Sequence, residues 1–117
     1  MTWPIIIGVV GVLIVFMLVS RAAMGPLVSP DDARKLLTQG GQLVDVRSAG
    51  EYSSGHIDGA RNIPVDAIGA RAGELGDIEK PVIVYCRSGA RSSRAKNILE
   101  SKGYKKVYNL GAISNWR

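Results

Sequence analysis

The sequence is poor in the residues that build cross-links and metal centres. Its 117 residues include one cysteine and one histidine, so no disulfide can form within the chain. A zinc site made from the cysteine and histidine pattern is excluded as well, because such sites need several of these ligands. We therefore expect no metal and no cofactor, and any thiol chemistry must depend on Cys86 alone.

Aromatic residues are also scarce, at 6% of the chain. Three of the tyrosines lie in strand-like or turn-like runs without regular interleaving with basic residues, which argues against a nucleic-acid partner.

Charge is distributed unevenly along the chain: residues 21–79 hold six basic and nine acidic residues, whereas residues 80–117 hold nine basic residues against Glu100 alone. The basic half contains the only cysteine, which favours an anion-attracting site there, although a solvated basic surface would give the same counts.

One long apolar run begins near the N-terminus. Residues 5–19 contain no polar side chain, and residues 4–19 would form a helix about 24 Å long. That is a little shorter than the ~30 Å hydrocarbon core of a bilayer, so the helix can span it with some adjustment of the lipid. The sequence therefore predicts a transmembrane anchor over residues 1–24, in contact with the membrane through residues 4–20.

The charges around this run set its expected orientation. The first side-chain cation is Arg21, on the C-terminal side of the run, and Met1 to Pro4 carry no lysine or arginine. A cleaved signal peptide, which the small residues Ala22 and Ala23 would allow, lacks its usual positive N-terminal region here. We therefore expect a single-pass membrane protein whose following domain lies on the cytoplasmic side.

After a short linker at 25–28, helical and strand-like patterns alternate. Ser29, Pro30 and two following acidic residues indicate a helix start, and Ser48 with Glu51 forms a capping box for a brief helical turn. Helices are expected at 29–39, 66–75 and 92–102, and strands at 42–46, 60–63, 81–85 and 106–110. This alternation predicts an α/β domain over residues 29–117 with a central, mostly parallel sheet.

The lone cysteine lies where such a domain would hold its ligand. Cys86 directly follows the most apolar strand, and the expected helix begins at Ser92. Ligand crevices lie at the carboxyl ends of parallel strands, and the free N–H groups of a helix N-terminus attract anions. With cations nearby, such surroundings lower a thiol pKa from about 8.5 to roughly 3.5–7.5, and Arg87, Arg91 and Arg94 supply the cations. The sequence thus predicts a nucleophilic thiolate rather than an inert buried cysteine.

Four segments together resemble one known family. The run CRSGAR at 86–91, between a strand and a helix, resembles the active-site loop of rhodanese sulfurtransferases. The runs LVDVR at 43–47, EYSSGHIDGARNIP at 51–64 and NLGAISNW at 109–116 resemble further motifs of that family, in the same order. The resemblance covers about residues 28–117 and implies a three-layer rhodanese-like domain, here preceded by the predicted transmembrane helix.

The resemblance also implies roles for individual residues. Cys86 would carry sulfur as a persulfide, held by the backbone amides of the substrate-binding loop residues Arg87, Ser88, Gly89, Ala90 and Arg91. The two arginines would bind the charged end of a small anionic donor such as thiosulfate. A second set would organise hydrogen bonds near the loop without taking part in the chemistry: Asp45, Arg47, Glu51 and His56.

The predicted activity is sulfur transfer to an external acceptor (cyanide, a thiol or a protein), because the chain has no second cysteine. Two alternatives stay open. One is a membrane-bound sulfur-relay or binding module with little turnover of small molecules. The other is a cysteine-dependent phosphatase or arsenate reductase, whose loop has the spacing Cys-x5-Arg, whereas Arg91 stands at Cys-x4-Arg.

The sequence departs from the family pattern at two places. Gly111-Ala112 stands where relatives have two glycines. The chain also ends at Arg117, just after Trp116, where relatives continue into another short helix. We expect this difference to leave one side of the crevice open or to leave a surface for a partner.

Overall fold

The structure, a computed structural model, describes residues 25–117, and the predicted anchor over residues 1–24 lies outside them. The helices of the described part are α1 (Pro30–Thr38), α2 (Ala49–Ser53), α3 (Val65–Arg71) and α4 (Ala90–Ser101), with 3-10 turns at Ala72–Leu75 and Ile113–Asn115. The strands are β1 (Gln42–Asp45), β2 (Arg61–Asn62), β3 (Val82–Cys86) and β4 (Val107–Ala112). From residue 25 onward, no helix is long and apolar enough to cross a membrane.

The four strands form one parallel sheet in the order β2-β1-β3-β4. All five residues of β3 are buried, as expected of a strand with neighbours on both edges and helices on both faces. Because side chains alternate along a strand, Val84 packs in the core on one face while Ile83 and Tyr85 pack in the core on the other. The predicted α/β fold with a central parallel sheet is confirmed.

Each face of the sheet is covered by helices, which makes three layers. On the face shared by Val84, the apolar side chains of α3 and α4 include Ile68 and Leu99, both fully buried. On the opposite face, α1 contributes Ala33 and α2 contributes the half-buried Tyr52. The two cores hold the carboxyl ends of β1 and β3 rigidly in register, and this is the edge at which Cys86 lies.

Most predicted elements appear within one or two residues of their expected bounds. The Ser29 hydroxyl accepts from the backbone N–H of Asp32, and both hydrogen bonds of the predicted capping box at α2 are present. The α-helix α3 ends at Arg71, four residues before its expected end, with a 3-10 turn continuing to Leu75, and α4 begins at Ala90 rather than Ser92. Gly89, with φ of 102°, turns the chain into the helix earlier than a serine cap would, because glycine adopts this conformation without strain.

Candidate active site

The loop that follows β3 brings a helix N-terminus directly over Cys86. Cys86 is the last residue of β3, Gly89 is the N-cap of α4, and only two residues lie between them. Since the first turn of a helix has unpaired N–H groups, this tight connection places several donors beside the sulfur. A side chain at position 89 would be strained by the positive φ, so the turn depends on glycine there.

Two polar groups lie within hydrogen-bond distance of the sulfur of Cys86. The backbone N–H of Gly89 donates to Sγ at 2.9 Å, and the thiol donates to Oγ of Ser92 at 3.4 Å. The Ser92 hydroxyl also donates to the Gly89 carbonyl at 3.0 Å. A serine hydroxyl rotates to suit its partners, so it accepts from the protonated thiol and donates to the thiolate. A hydrogen bond from the Ser92 hydroxyl would therefore stabilise the thiolate form of Cys86.

Burial and hydrogen bonding act in opposite directions on the thiol. Burial raises the pKa of Cys86, while the hydroxyl of Ser92 and the backbone N–H groups of Ser92, Gly89 and Ser88 lower it. The donors outweigh burial, and the pKa of Cys86 falls below its usual value. Nearby guanidinium groups were expected to lower the pKa of Cys86, whereas in the structure hydrogen bonds from the loop and the first turn of α4 lower it.

Arg91 forms a two-pronged ion pair with the carboxylate of Glu51. Its Nη1 and Nη2 lie 2.6 and 2.9 Å from the two carboxylate oxygens of Glu51. The hydrogen bonds from Arg91 and from the backbone of Ser48 lower the pKa of Glu51 to about 2. This fork joins α2 to the first turn of α4. The role expected of Glu51, which is to organise hydrogen bonds near the loop after Cys86, stays a prediction. The expected contact of Arg91 with a donor stays a prediction, because both terminal nitrogens already donate to Glu51.

Arg94, which was expected to be a further cation near the thiolate, pairs with a carboxylate on α3 instead. Its guanidinium is exposed and 3.7 Å from the carboxylate of Asp66 on α3. Arg87 is exposed like Arg94, but it lines a cavity at the end of the sheet, which neither Arg91 nor Arg94 does.

Asp45 and Arg47 form a buried ion pair beneath the site. Asp45 is fully buried and Arg47 is 7% exposed. Arg47 Nη2 lies 2.6 Å from Oδ2 of Asp45, and its Nε and backbone N–H both donate to Oδ1. The hydrogen bond to Asp45 raises the pKa of Arg47, and Nη2 also donates to the Gly55 carbonyl at 2.7 Å. The pair thus fastens the end of β1 to the loop after α2.

His56 lies on the outside of the same loop. Its ring stacks on Tyr52, with centroids 3.7 Å apart and planes 8° from parallel. Its Nδ1 is 2.9 Å from the Tyr52 carbonyl oxygen, and the residue is exposed. The imidazole is held by α2 and His56 is not among the residues that line the site cavity; its structural role stays a prediction.

A cavity of about 430 Å³ opens beside the loop that follows Cys86. It is lined by Arg47, Gly50, Glu51, Ser54, Arg87 and Ile113. Cys86 has no exposed surface and is not part of this lining, although Arg87, the next residue, is. In this structure the sulfur is therefore closed off from the cavity.

Ser92 and the cavity wall at Ile113 were not singled out from the sequence. A signal for Ser92 did exist, because helical side chains point back toward the N-terminus, so a serine in the first turn of α4 faces the preceding loop. Ile113 offered no such signal. Within residues 25–117, no group of three or more histidine, cysteine, aspartate or glutamate side chains is arranged to hold a metal ion.

Comparisons with known proteins agree with this geometry. The family described as Rhodanese-like domain matches residues 29–117. The chain is 36% identical over 95 residues to the thiosulfate sulfurtransferase GlpE of Pseudomonas paraeruginosa, covering 77% of this chain and 82% of that protein. It is 43% identical over 76 residues to the uncharacterised protein YqhL of Bacillus subtilis, covering 64% of this chain and 60% of the relative.

Solved structures show the same relationship. The human single-domain sulfurtransferase TSTD1 superposes with a TM-score of 0.68 at 32% identity, covering 79% of this chain and 95% of that one. A rhodanese from E. coli, solved with anions, superposes with a TM-score of 0.62 at 36% identity, covering 64% and 89%. The sequence and the fold lead to the same assignment, and the chain belongs to the rhodanese-like domain family.

Proposed function

We propose that this protein is a sulfurtransferase in which Cys86 carries sulfur as a persulfide. The observation that carries the proposal is the convergence of the Gly89 N–H and the Ser92 hydroxyl on a buried sulfur. Relatives named thiosulfate sulfurtransferase support rhodanese-type sulfur transfer, and they favour thiosulfate as the donor. The same donors that lower the thiol pKa would hold the outer sulfur of a persulfide anion.

The reaction proceeds in two displacements. The Cys86 thiolate attacks the outer sulfur of thiosulfate; a sulfur–sulfur bond forms to the enzyme, and sulfite leaves with the electron pair of the bond that breaks. An acceptor such as cyanide then attacks the outer sulfur of the persulfide, taking it as thiocyanate and restoring the thiolate. Neither step changes the net charge of the site permanently, and no second cysteine of the chain is needed.

Arg87 is the residue best placed to capture the donor, because it is exposed, lines the cavity and directly follows the nucleophile. Arg87→Glu should therefore raise the KM for thiosulfate by about tenfold or more, the loss of roughly 1.4 kcal/mol of binding, with a smaller effect on kcat. Steady-state kinetics would measure both constants. The matched control is Lys102→Glu, which makes the same charge change at an exposed position beyond the far end of α4. Equal KM values for the two variants would exclude a binding role for Arg87.

The role of Ser92 predicts a change in pH dependence. A hydrogen bond to a charged group contributes about 1.5–3 kcal/mol, and 1.36 kcal/mol corresponds to one pKa unit. Ser92→Ala removes a donor that favours the thiolate, so the midpoint of Cys86 alkylation by iodoacetamide should move upward by about one pH unit. Ser93→Ala is the control, since its side chain is not in the sulfur's hydrogen-bond set. An unshifted midpoint in Ser92→Ala would contradict this role.

A sulfur relay is the second candidate, and the burial of Cys86 favours it, because a closed loop could be opened by a partner protein. The two functions separate in one assay on the full chain in detergent: transfer of sulfur from thiosulfate to cyanide over many turnovers. Sustained thiocyanate production supports the enzyme. A persulfide that forms once but is not turned over supports the relay.

We further propose that residues 1–24 anchor this domain to a membrane, with the domain on the cytoplasmic side. The support is the apolar run at 5–19 and the position of Arg21 after it, by the charge asymmetry that orients such segments. The partners would then be a small anionic sulfur donor, an external thiol or protein acceptor, and the lipid bilayer.

A further inference from the structure

The chain enters the described domain at the end of the sheet where Cys86 lies. The side chain of Leu27 lies about 3.1 Å from the place that a Cβ on Gly111 would occupy. Gly111 is paired in register with Tyr85, and Ala112 with Cys86. Since β3 and β4 are parallel, Leu27 therefore lies against the same end of the sheet as the catalytic loop.

This attachment includes a backbone hydrogen bond and lies beside the cavity. The N–H of Val28 donates to the carbonyl of Asn109 on β4 at 2.8 Å, which fixes the chain immediately before α1. Ile113, two residues after Gly111, lines the cavity together with Arg87. The incoming segment, the cavity and the loop of Cys86 thus share one face of the domain, which we call the catalytic edge (Leu27, Arg87 and residues 111–113).

The distance to the apolar run is short compared with the domain. Eight residue steps separate Val19 from Leu27, at most about 28 Å of fully extended chain. A domain of residues 25–117 is expected to be about 30 Å across, from a radius of gyration of roughly 12 Å. If residues 5–19 lie in a bilayer, the far end of the sheet can face it only if this short connection is stretched around the domain.

The exposed groups of the catalytic edge fit a lipid surface. Leu27 is 51% exposed, so its apolar side chain is available at the point nearest the predicted anchor. Arg87 adds an exposed cation at the same edge, and anionic headgroups attract such cations by about 1 kcal/mol each near the surface.

We propose that the catalytic edge faces the bilayer surface, so that Cys86 receives and delivers sulfur in the thin aqueous layer between domain and membrane. The inference rests on the proposed membrane anchor. It narrows the acceptor class: small solutes such as thiosulfate, cyanide or a low-molecular-weight thiol reach this layer, and so does a thiol on a membrane-bound protein. A large soluble protein acceptor is excluded from it by the domain and the lipid.

Fluorescence quenching on the full chain tests this orientation. Because Cys86 is the only cysteine, Cys86→Ser provides a cysteine-free background for single labels. Ala49→Cys places a fluorophore at the exposed start of α2, next to the end of β1, and Lys102→Cys places one at the opposite end of α4. The helix α4 has 12 residues and spans about 18 Å, so the two labels differ clearly in depth. The vesicles contain phosphatidylcholine, phosphatidylglycerol and a lipid with a nitroxide on its headgroup.

We expect quenching several-fold stronger at position 49 than at position 102. Equal quenching, or stronger quenching at position 102, with the protein bound to vesicles would overturn the orientation while leaving the anchor intact. If the full chain does not float with the vesicles, the anchor and the orientation both fail. Sulfur transfer is measured separately in detergent, so its failure is distinguishable from either result.

Discussion

Replacing Cys86 with serine should reduce the transfer of sulfur from thiosulfate to cyanide to the uncatalysed background. A hydroxyl in the same place is a far weaker nucleophile than a thiolate, and nothing else in the chain can form a persulfide, since Cys86 is the only cysteine. Removal of a covalent nucleophile commonly costs several orders of magnitude in kcat. The measurement is thiocyanate production at saturating thiosulfate, with the full chain in detergent.

The serine variant is a well-matched probe because the site can accommodate its oxygen. The Gly89 N–H can donate to a hydroxyl oxygen, and that hydroxyl can donate to Oγ of Ser92 as the thiol does, so the loop should keep its conformation. We expect its unfolding transition to lie close to that of the unmodified chain. Turnover at a substantial fraction of the original rate, with folding intact, would show that another group carries the sulfur.

Among the single substitutions named here, Asp45→Ala should lower the free energy of unfolding the most. Asp45 is fully buried and accepts three hydrogen bonds from Arg47 side-chain nitrogens, besides one from its backbone. Asp45→Ala would leave the buried guanidinium without its counter-ion, and breaking one partner of such a pair costs about 3–5 kcal/mol. The free energy of unfolding, from urea denaturation of the full chain in detergent, measures the loss.

Two further variants separate the ion pair from other effects of the substitution. Asp31→Ala removes a carboxylate that is 90% exposed and 3.4 Å from Arg34, and a surface pair of this kind contributes at most about 1 kcal/mol. The double variant Asp45→Ala with Arg47→Met removes both charges and should recover part of the stability, because no buried charge remains unpaired. A similar small loss for Asp45→Ala and Asp31→Ala would contradict the account of the buried pair.

The sequence was sufficient for the parts of the fold that depend on local patterns. An apolar run of β-branched residues predicted β3, and the spacing of Ser48 and Glu51 predicted the cap of α2. The position of Cys86 between a buried strand and a helix start followed from the same patterns. Each of these features is decided within a few residues of the chain, so no knowledge of the tertiary structure was required.

The contacts that complete the site depend on tertiary packing and were not predicted. Glu51 and Arg91 are 40 residues apart, and only the folded chain shows that the arginine donates to this carboxylate. The complete burial of Cys86 follows from how α4 packs on the sheet, which local patterns do not specify. The contact of Ser92 with the sulfur depends on Gly89 as the cap of α4, and local patterns had placed the helix start at Ser92 instead.

The lowered thiol pKa and the burial of the sulfur have related consequences. Donors from the loop and α4 favour the thiolate, while the closed loop keeps it away from bulk solvent and from large electrophiles. On the proposed function, a small donor that enters through the cavity beside Arg87 would meet a thiol whose pKa is lowered by these donors. This combination suits a carrier of sulfane sulfur, whose persulfide must be protected between the two transfer steps.

Mass spectrometry of the intact chain after treatment with thiosulfate tests the central claim most directly. The account predicts a mass increase of one sulfur atom, located on the peptide that contains Cys86, absent from Cys86→Ser and removed by cyanide. If the chain gains no sulfur from thiosulfate or from any other sulfane donor while it remains folded, Cys86 does not act as a sulfur carrier.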